Sequence, residues 1–540
     1  MKNLLSIKDL SLDIGGTKIL HDIDMEVNGG EILGVIGESG SGKSMSALAI
    51  MQLAPGGAKI NGSIKFDGKE LLDLSEKQMC ELRGSEIGMI FQEPMSALNP
   101  VKTIGEQVSE TVLIHSNVSK NEARKIAREV LERVELPGDE FPLNRFPHQL
   151  SGGQRQRVVI AMAIAHKPAL LIADEPTTAL DVTTQAQILK LLEKLVEEDG
   201  MGLILITHDL AVVAGMADNV AIMQNGKVVE AGETIKVFSD LKHPYSKQLF
   251  AASNHVPKRA NRDKPDKENP VLKASNIMRQ YPGRGGSFFK KAKPFTAVDR
   301  VSFYIAKGEN VGLVGESGCG KSTLSRALLA LDVMQGGIVH LDGEMISAGK
   351  GASRAARRKM QVVFQDPYGS FNPRHRVEKL VSEPFFLLDG PPRGLERRQR
   401  VEKALLEVGL NATDADKYIH EFSGGQRQRV AIARALIIEP ALIILDEAVS
   451  ALDVSIRAQI LDLLAELSDR RGISYLFISH DLSVVRAITD RVLVMRDGVI
   501  VEEGESQRVF ANPQHPYTKQ LLGAVPDIGK ALEKRRLRQV

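Results

Sequence analysis

Two glycine-rich segments, each ending in Gly-Lys-Ser, contain the residue types that bind phosphate. GESGSGKS occupies residues 37–44, and GESGCGKS occupies residues 315–322. Glycines let the backbone curl so that its N–H groups point at phosphate oxygens, and the lysine at the end of such a loop reaches the terminal phosphates. The hydroxyls of Ser44 and Ser322 are suited to binding Mg²⁺. The sequence therefore predicts two sites for nucleotide phosphates.

Two Asp-Glu pairs supply the groups that phosphate hydrolysis needs. Asp174 and Asp446 end the apolar runs ALLIAD and ALIILD, where a carboxylate can hold Mg²⁺ beside the phosphates. The adjacent carboxylates of Glu175 and Glu447 can orient or deprotonate an attacking water. In isolation an Asp-Glu pair is typical of a solvated turn, but here each pair follows a glycine loop.

One histidine follows an apolar run in each half of the chain. His208 comes after GLILIT, and His480 comes after SYLFIS. At a strand end near the last phosphate, an imidazole can hydrogen-bond that phosphate or fix the water. A lone histidine is more often structural, but the recurrence of His-Asp-Leu in both halves favours a functional role.

The elements around each glycine loop are those that a phosphate site requires. EILGVIG (residues 31–37) and ENVGLVG (residues 309–315) are short apolar runs that predict buried strands. The residues after the first loop, SMSALAIMQLA, predict a helix. Each loop thus lies between a strand and a helix, and the helix N-terminus adds partial positive charge at the phosphates.

The chain is one domain duplicated. A constant interval separates Ser151 from Ser423 and His208 from His480, and the segment HPYSKQL of the first half returns as HPYTKQL in the second. We therefore predict domains over residues 1–253 and 271–540, joined by an exposed, charged, proline-containing linker over residues 254–270. Residues 282–295 form an insertion in the second copy, interpreted as a mobile loop.

Composition excludes several classes of protein. The 540 residues are 43% apolar and 26% charged, with a net charge of +2, so the charge balance gives no case for direct nucleic-acid binding. Two cysteines without a Cys-x-x-Cys pair argue against a zinc ribbon, an iron–sulfur cluster or a disulfide framework. No apolar run reaches the roughly 18–20 residues that span a bilayer, so we expect a cytosolic chain that reaches a membrane only through a partner.

The segments LSGGQRQRV (residues 150–158) and FSGGQRQRV (residues 422–430) indicate the family. A glycine loop, then Ser-Gly-Gly-Gln, then the Asp-Glu strand, an Ala-Leu-Asp turn and the histidine resemble the ATP-binding cassette (ABC) ATPases over both halves. The resemblance implies an α/β fold with two tandem P-loop NTPase domains of the ABC type. Each would have a RecA-like core with a mixed sheet, an antiparallel β subdomain and an α-helical subdomain.

The same resemblance implies two composite ATP sites, each with a glycine loop from one half and the Ser-Gly-Gly-Gln segment from the other. The residues expected to bind ATP are Gly37, Glu38, Ser39, Gly40, Ser41, Gly42, Lys43 and Ser44, with Ser423, Gly424, Gly425 and Gln426, in the first site. Those of the second site are Gly315, Glu316, Ser317, Gly318, Cys319, Gly320, Lys321, Ser322 and Thr323, with Ser151, Gly152, Gly153, Gln154 and Tyr281. The expected Mg²⁺ ligands are Ser44, Gln92, Asp174, Ser322, Gln365 and Asp446, and the expected catalytic residues are Glu175, His208, Gln92, Glu447, His480 and Gln365.

Three positions depart from the family pattern or raise a further question. Tyr281 fits the aromatic residue that stacks on adenine, whereas the first copy has Ile14 there, which suggests weaker adenine contact. Phe422 replaces the usual leucine, a simple apolar exchange. Cys319 lies near a helix N-terminus that would lower the pKa of its thiol. It is either a reactive cysteine shielded by nucleotide or a small residue that fills space.

FQEPMSALNP after residue 90, FQDPYGSFNPR after residue 363 and the two HPY tails resemble the ATPases of oligopeptide, dipeptide and nickel importers. The resemblance implies an ATP-hydrolysing subunit on the cytoplasmic face of the bacterial inner membrane. Its expected partners are two transmembrane permease subunits and a periplasmic solute-binding protein. Some relatives carry a cysteine cluster in the tail, which this sequence lacks.

The alternative classes are a twin-cassette ATPase that acts on ribosomes and a DNA-repair protein. The ribosomal class typically has a long charged helical linker, whereas this linker is short and interrupted by proline. The cargo is open: oligopeptides, peptide-like antibiotics, glutathione and nickel are the candidates.

Overall fold

The structure is a computed structural model of the chain, and it forms two compact units. It describes residues 3–92, 97–178, 180–259, 267–283, 293–450 and 452–539. Unit 1 comprises Met1–Ser253 and Pro526–Val540, and unit 2 comprises Asn254–Val525. Residues 260–266 of the predicted linker and residues 284–292 of the insertion lie outside the described residues.

Unit 1 contains ten strands and nine helices before residue 254 among its described residues. The strands are β1 (Asn3–Ile14), β2 (Thr17–Asn28), β3 (Ile32–Ile36), β4 (Ala58–Phe66), β5 (Lys69–Glu70), β6 (Ile87–Ile90), β7 (Leu170–Asp174), β8 (Gly202–Thr207), β9 (Asn219–Gln224) and β10 (Lys227–Glu233). The helices are α1 (Lys43–Ile50), α2 (Glu76–Leu82), α3 (Ile104–His115), α4 (Lys120–Arg133), α5 (Gly152–Ile164), α6 (Val182–Asp199), α7 (Leu210–Met216), α8 (Thr234–Ser239) and α9 (Pro244–Ser253).

Unit 2 repeats this order. Its strands are β11 (Leu272–Tyr281), β12 (Phe295–Ile305), β13 (Asn310–Val314), β14 (Gly336–Leu341), β15 (Glu344–Ser347), β16 (Met360–Val363), β17 (Leu442–Asp446), β18 (Ser474–Ile478), β19 (Arg491–Arg496) and β20 (Val499–Glu505). Its helices are α10 (Lys321–Leu328), α11 (Arg354–Lys359), α12 (Val377–Val381), α13 (Gly394–Glu407), α14 (Gly424–Leu436), α15 (Val454–Arg471), α16 (Leu482–Ile488), α17 (Ser506–Ala511) and α18 (Pro516–Gly523).

Each unit has a mixed six-stranded sheet and an antiparallel four-stranded sheet. The six-stranded orders are β10-β9-β3-β8-β7-β6 and β16-β17-β18-β13-β19-β20, in which only the outer pairs β9–β10 and β19–β20 are antiparallel. The four-stranded orders are β2-β1-β4-β5 and β12-β11-β14-β15. Helices α3–α5 and α12–α14 form the helical parts. This is the predicted fold class, and the prediction is confirmed.

The strands that carry the site are buried on both faces. Every residue of β3, β7 and β8 is buried, as is every residue of β13 and β18. Parallel strands covered on both faces by helices have such continuous apolar sequences. Because the carboxyl ends of parallel strands share one edge, the residues that follow β3, β7 and β8 are brought together there.

The last helix, α19 (Ile528–Gln539), packs on unit 1 although it follows unit 2 in the sequence. Ala531 lies over Gly215 of α7, with 3.9 Å between the Ala531 Cβ and an ideal Cβ at Gly215. The Arg535 Nη2 donates to the Met216 carbonyl (2.6 Å) and to Asp218 Oδ1 (3.1 Å). These contacts place residues 526–540 with unit 1, whereas the predicted second domain comprises residues 271–540, and the predicted domain bounds stay a prediction. At its start, residues 254–259 of the predicted linker belong to unit 2.

No helix in the described ranges is long and apolar enough to cross a membrane.

Candidate active sites

The glycine loop of unit 1 joins β3 to α1 and encloses the ammonium of Lys43. That side chain is buried, and its Nζ donates to the carbonyls of Gly37 (2.8 Å) and Glu38 (2.9 Å). Gly42, the residue before α1, has φ of 102°, and a Cβ there would come within 2.7 Å of Leu20. The loop therefore has the strand–loop–helix form predicted from the sequence, with one cation hydrogen-bonded to two of its main-chain carbonyls.

The glycine loop of unit 2 has the same form between β13 and α10. Lys321 Nζ donates to the carbonyls of Gly315 and Glu316, each at 2.8 Å. Gly320 has φ of 111°, and a Cβ there would lie 2.4 Å from the Ala297 carbonyl oxygen.

Cys319 of this loop is packed rather than poised to react. Its side chain is 8% exposed, and burial raises the pKa of its thiol in spite of the nearby Lys321 ammonium. The expected lowering of this pKa by the helix N-terminus is therefore wrong, and the position agrees with a small residue that fills space.

In unit 1 the carboxylate of Glu175 lies among three polar side chains. Its Oε1 is 3.3 Å from His208 Nδ1, while its Oε2 accepts from Gln92 Nε2 (3.1 Å) and from the Thr178 hydroxyl (2.8 Å). Burial works to raise the pKa of Glu175, but the hydrogen bonds from His208 and Thr178 and the charges of His208 and Lys43 lower it to about 2. Glu175 is therefore an oriented carboxylate anion at neutral pH.

Unit 2 holds the matching pair, with a difference at one neighbour. Glu447 Oε1 is 3.3 Å from His480 Nδ1. Burial works to raise the pKa of Glu447 and to lower that of His480, but their mutual attraction reverses both shifts. The hydroxyl of Ser450, which stands where unit 1 has Thr178, donates to the main-chain carbonyl of Glu447 instead of its carboxylate (2.8 Å). Gln365 follows β16 at the place that Gln92 has after β6.

The aspartates at the ends of β7 and β17 fit Mg²⁺ ligands. Burial raises the pKa of both Asp174 and Asp446. Asp174 Oδ1 is buried and makes no hydrogen bond to any residue that the structure describes, whereas Asp446 Oδ2 accepts from the Ser325 hydroxyl (3.1 Å). A carboxylate oxygen in this state, close to a serine hydroxyl such as that of Ser44, is the donor set that a hard cation prefers.

The two Ser-Gly-Gly-Gln segments begin helices α5 and α14. Ser151 accepts from the Gln154 amide (3.3 Å), and Gln154 Oε1 accepts from the Ser151 amide (2.9 Å). Ser423 and Gln426 form the same capping box. The capping box occupies the third amide of each helix, and the first residue of each helix, Gly152 or Gly424, is exposed. The pairing of each segment with a glycine loop of the other unit stays a prediction.

The two glycines of the second Ser-Gly-Gly-Gln segment differ in the space around them. A Cβ at Gly425 would lie 2.5 Å from Ile456 Cγ2, whereas a Cβ at Gly424 would have no heavy atom within 4 Å. We expect Gly425→Ala to destabilise unit 2 by about 1–3 kcal/mol through overpacking. Calorimetry should record a lower melting temperature for Gly425→Ala, with Gly424→Ala as the matched control. Equal melting temperatures for the two variants would contradict this account.

Tyr281, the predicted adenine contact, lies at the end of β11. The Arg279 guanidinium lies 4.4 Å from the centre of its ring, and its hydroxyl donates to Asp332 Oδ2 (3.1 Å). Ile14 ends β1 and is partly buried. Stacking of adenine on Tyr281 stays a prediction.

Sequence reasoning missed one pair of residues that touch the glycine loops. Tyr245 of α9 and Tyr517 of α18 are buried, and their hydroxyls accept hydrogen bonds from the amides of Glu38 (3.0 Å) and Glu316 (2.9 Å). The repeated HPY triplet is the available signal, but as a sequence pattern it indicates only the family.

Family models of known proteins match both halves of the chain. The family model for ABC transporters matches residues 20–178 and 298–450, and that for the C-terminal region of oligopeptide/dipeptide transporters matches residues 229–290 and 501–539. The chain is 45% identical to the glutathione import ATP-binding protein GsiA of Shigella boydii and of Escherichia coli K12. Each match covers 97% of this chain and 90% of the relative.

A dimeric structure of an ATP-binding cassette in a post-hydrolysis state, bound to ADP and Pi, is 31% identical to part of the chain. The match has a TM-score of 0.38 and covers 44% of this chain and 98% of that one. The residues matched by the ABC transporter model include both glycine loops and both Asp-Glu pairs. The chain therefore belongs to the ABC transporter family, as an ATPase with two ATP-binding cassettes and two C-terminal regions of the oligopeptide/dipeptide transporter type.

Proposed function

We propose that the protein hydrolyses ATP to energise an importer of peptide-like solutes. The observation that carries this proposal is the presence of two oligopeptide/dipeptide transporter regions, each with a tyrosine, Tyr245 or Tyr517, that is hydrogen-bonded to the glycine loop of its own cassette. Glutathione is the first cargo to test, because the GsiA relatives bear that name and match nearly the whole chain.

In this proposal each glycine loop binds the phosphates of ATP, and Lys43 and Lys321 supply the cation that faces them. Asp174 would hold one Mg²⁺ together with Ser44, and Asp446 would hold the other together with Ser322. Each ion would neutralise charge on the phosphates when it is bound. Glu175 and Glu447 orient the attacking water and accept its proton, and His208 and His480 hold these carboxylates in place.

The two Ser-Gly-Gly-Gln segments complete the sites in trans. Their exposed helix N-termini offer N–H groups and partial positive charge to the last phosphate. ATP would then bind a closed arrangement of the two cassettes better than an open one. That difference in affinity is what drives a conformational change.

The proposed partners are two permease subunits in the bacterial inner membrane and a periplasmic solute-binding protein. The cassettes would lie on the cytoplasmic face, with the surfaces near Gln92 and Gln365 facing the permease. These two glutamines follow the edge strands β6 and β16, and both are exposed.

A pull-down tests this proposal. The tagged Glu175→Gln, Glu447→Gln chain, extracted with mild detergent in the presence of ATP, is expected to bring down two hydrophobic subunits. Deletion of those subunits should abolish uptake of labelled glutathione. Recovery with ribosomes and without a membrane protein would overturn the importer proposal, and uptake of a different labelled peptide would replace glutathione as the cargo.

A further inference from the structure

The HPY segment of each unit touches the glycine loop at one backbone amide. The Glu38 N–H donates to the Tyr245 hydroxyl, and the Glu316 N–H donates to the Tyr517 hydroxyl. We propose that these two tyrosines are positioning residues that hold the glycine loops, and their lysines, in the shape that binds ATP.

The residue held by the tyrosine is also the residue that holds the lysine. Glu38 gives its N–H to Tyr245, and its carbonyl accepts from Lys43 Nζ at 2.9 Å. Glu316 connects Tyr517 to Lys321 in the same way, with 2.8 Å between the carbonyl oxygen and Nζ. A shift of this one peptide unit therefore moves the lysine ammonium.

The histidine and proline of the segment orient the tyrosine. His243 Nδ1 accepts from the Tyr245 amide (3.2 Å), and His515 Nδ1 accepts from the Tyr517 amide (3.2 Å). The proline between them begins helix α9 or α18, where its missing N–H costs nothing and its fixed φ suits the first turn. Each residue of the His-Pro-Tyr triplet thus has its own contact or conformational role.

A glutamate from the preceding strand fastens the start of each segment. Glu230 of β10 accepts from the amides of Lys242 (2.8 Å) and His243 (3.2 Å). Glu502 of β20 accepts from the amides of Gln514 (2.8 Å) and His515 (3.0 Å). The start of the segment is therefore bound to the sheet through the glutamate, and its tyrosine is bound to the loop through the hydroxyl.

Removal of the hydroxyl tests the proposal. Tyr245→Phe and Tyr517→Phe leave the ring in the core and take away the acceptor of one loop amide. We expect each to raise the dissociation constant for ATP of its own loop by about threefold to tenfold, the value of one hydrogen bond. The rate at saturating ATP should change less than twofold. Equilibrium binding of ATP to the full chain in the Glu175→Gln, Glu447→Gln background measures the affinity, and turnover in the otherwise unmodified chain measures the rate.

Matched variants separate positioning from folding. Tyr304→Phe removes a hydroxyl from β12 of unit 2 and should leave ATP affinity unchanged. His243→Asn keeps an acceptor at the start of α9 and should bind ATP normally, whereas His243→Leu should bind as weakly as Tyr245→Phe. A Tyr→Phe affinity within twofold of the unmodified chain, or a lowered melting temperature with unchanged affinity, would overturn the proposal.

This inference rests on the proposed role of the glycine loops, and the two can fail separately. If the loops do not bind ATP, the chain with Lys43→Ala and Lys321→Ala will have the same affinity for ATP as the unmodified chain. If the loops bind ATP and only the tyrosine role is wrong, the lysine variants will lose binding while the tyrosine variants keep it.

Discussion

Replacement of Glu175 and Glu447 together by glutamine is expected to lower ATP turnover by about 10²- to 10⁴-fold, the usual contribution of a general base. Glutamine keeps an oxygen near His208 and His480 but cannot accept the proton of an attacking water. The histidines hold the carboxylates as anions, in unit 1 together with the Thr178 hydroxyl, and Gln92 Nε2 also donates to the carboxylate there. Their chemistry, and not their packing, is what the change removes.

ATP binding separates this interpretation from general damage. The double variant should bind ATP with an affinity close to that of the unmodified chain, since the lysines and loop amides are unchanged. Glu197→Gln, on the exposed face of α6, is the control and should hydrolyse ATP at the normal rate. Turnover within tenfold of normal in the double variant would refute the assignment of these carboxylates.

Replacement of Lys43 and Lys321 together by alanine is expected to weaken ATP binding by about tenfold to a hundredfold at each loop. Hydrogen bonds to a charged group contribute about 1.5–3 kcal/mol. The two ammonium groups are buried and face the loops, and their loss also leaves the carbonyls of Gly37, Glu38, Gly315 and Glu316 without these donors. Equilibrium binding of ATP measures the effect.

The lysine variant should lose turnover because it binds ATP weakly. The glutamate variant should instead bind ATP normally and fail to hydrolyse it. Lys77→Ala, on the exposed surface of α2, is the control for the loss of a lysine outside the loops. Normal ATP affinity in the Lys43→Ala, Lys321→Ala chain would show that phosphate is bound elsewhere.

The parts of the site that sequence reasoning could predict are those coded in short stretches. Strand, glycine loop and helix are consecutive in the chain, so the position of Lys43 follows from local pattern alone. The Glu175–His208 contact was also within reach, because buried apolar runs predict parallel strands whose ends share one edge. The duplication supplied a second, independent copy of each motif.

The parts that it missed depend on distant residues or on burial. Tyr245 meets Glu38 across 207 positions of sequence, and no local pattern indicates which backbone amide a tyrosine hydroxyl will reach. The pKa of Cys319 depends on how deeply the loop is covered, which its neighbours in sequence do not determine. The helix terminus was correctly identified, but burial outweighs it.

The position of α19 in unit 1 has a consequence for the order in which the protein is made. Chains leave the ribosome N-terminus first, at about 5–20 residues per second. Unit 2 is one continuous stretch, whereas unit 1 includes Pro526–Val540. The first cassette to be synthesised is therefore the last to be finished, and it waits on the order of tens of seconds for Arg535 to reach Asp218. Until then α7 presents an uncovered surface, so nascent and prematurely terminated chains differ from the finished protein in the half that was translated first.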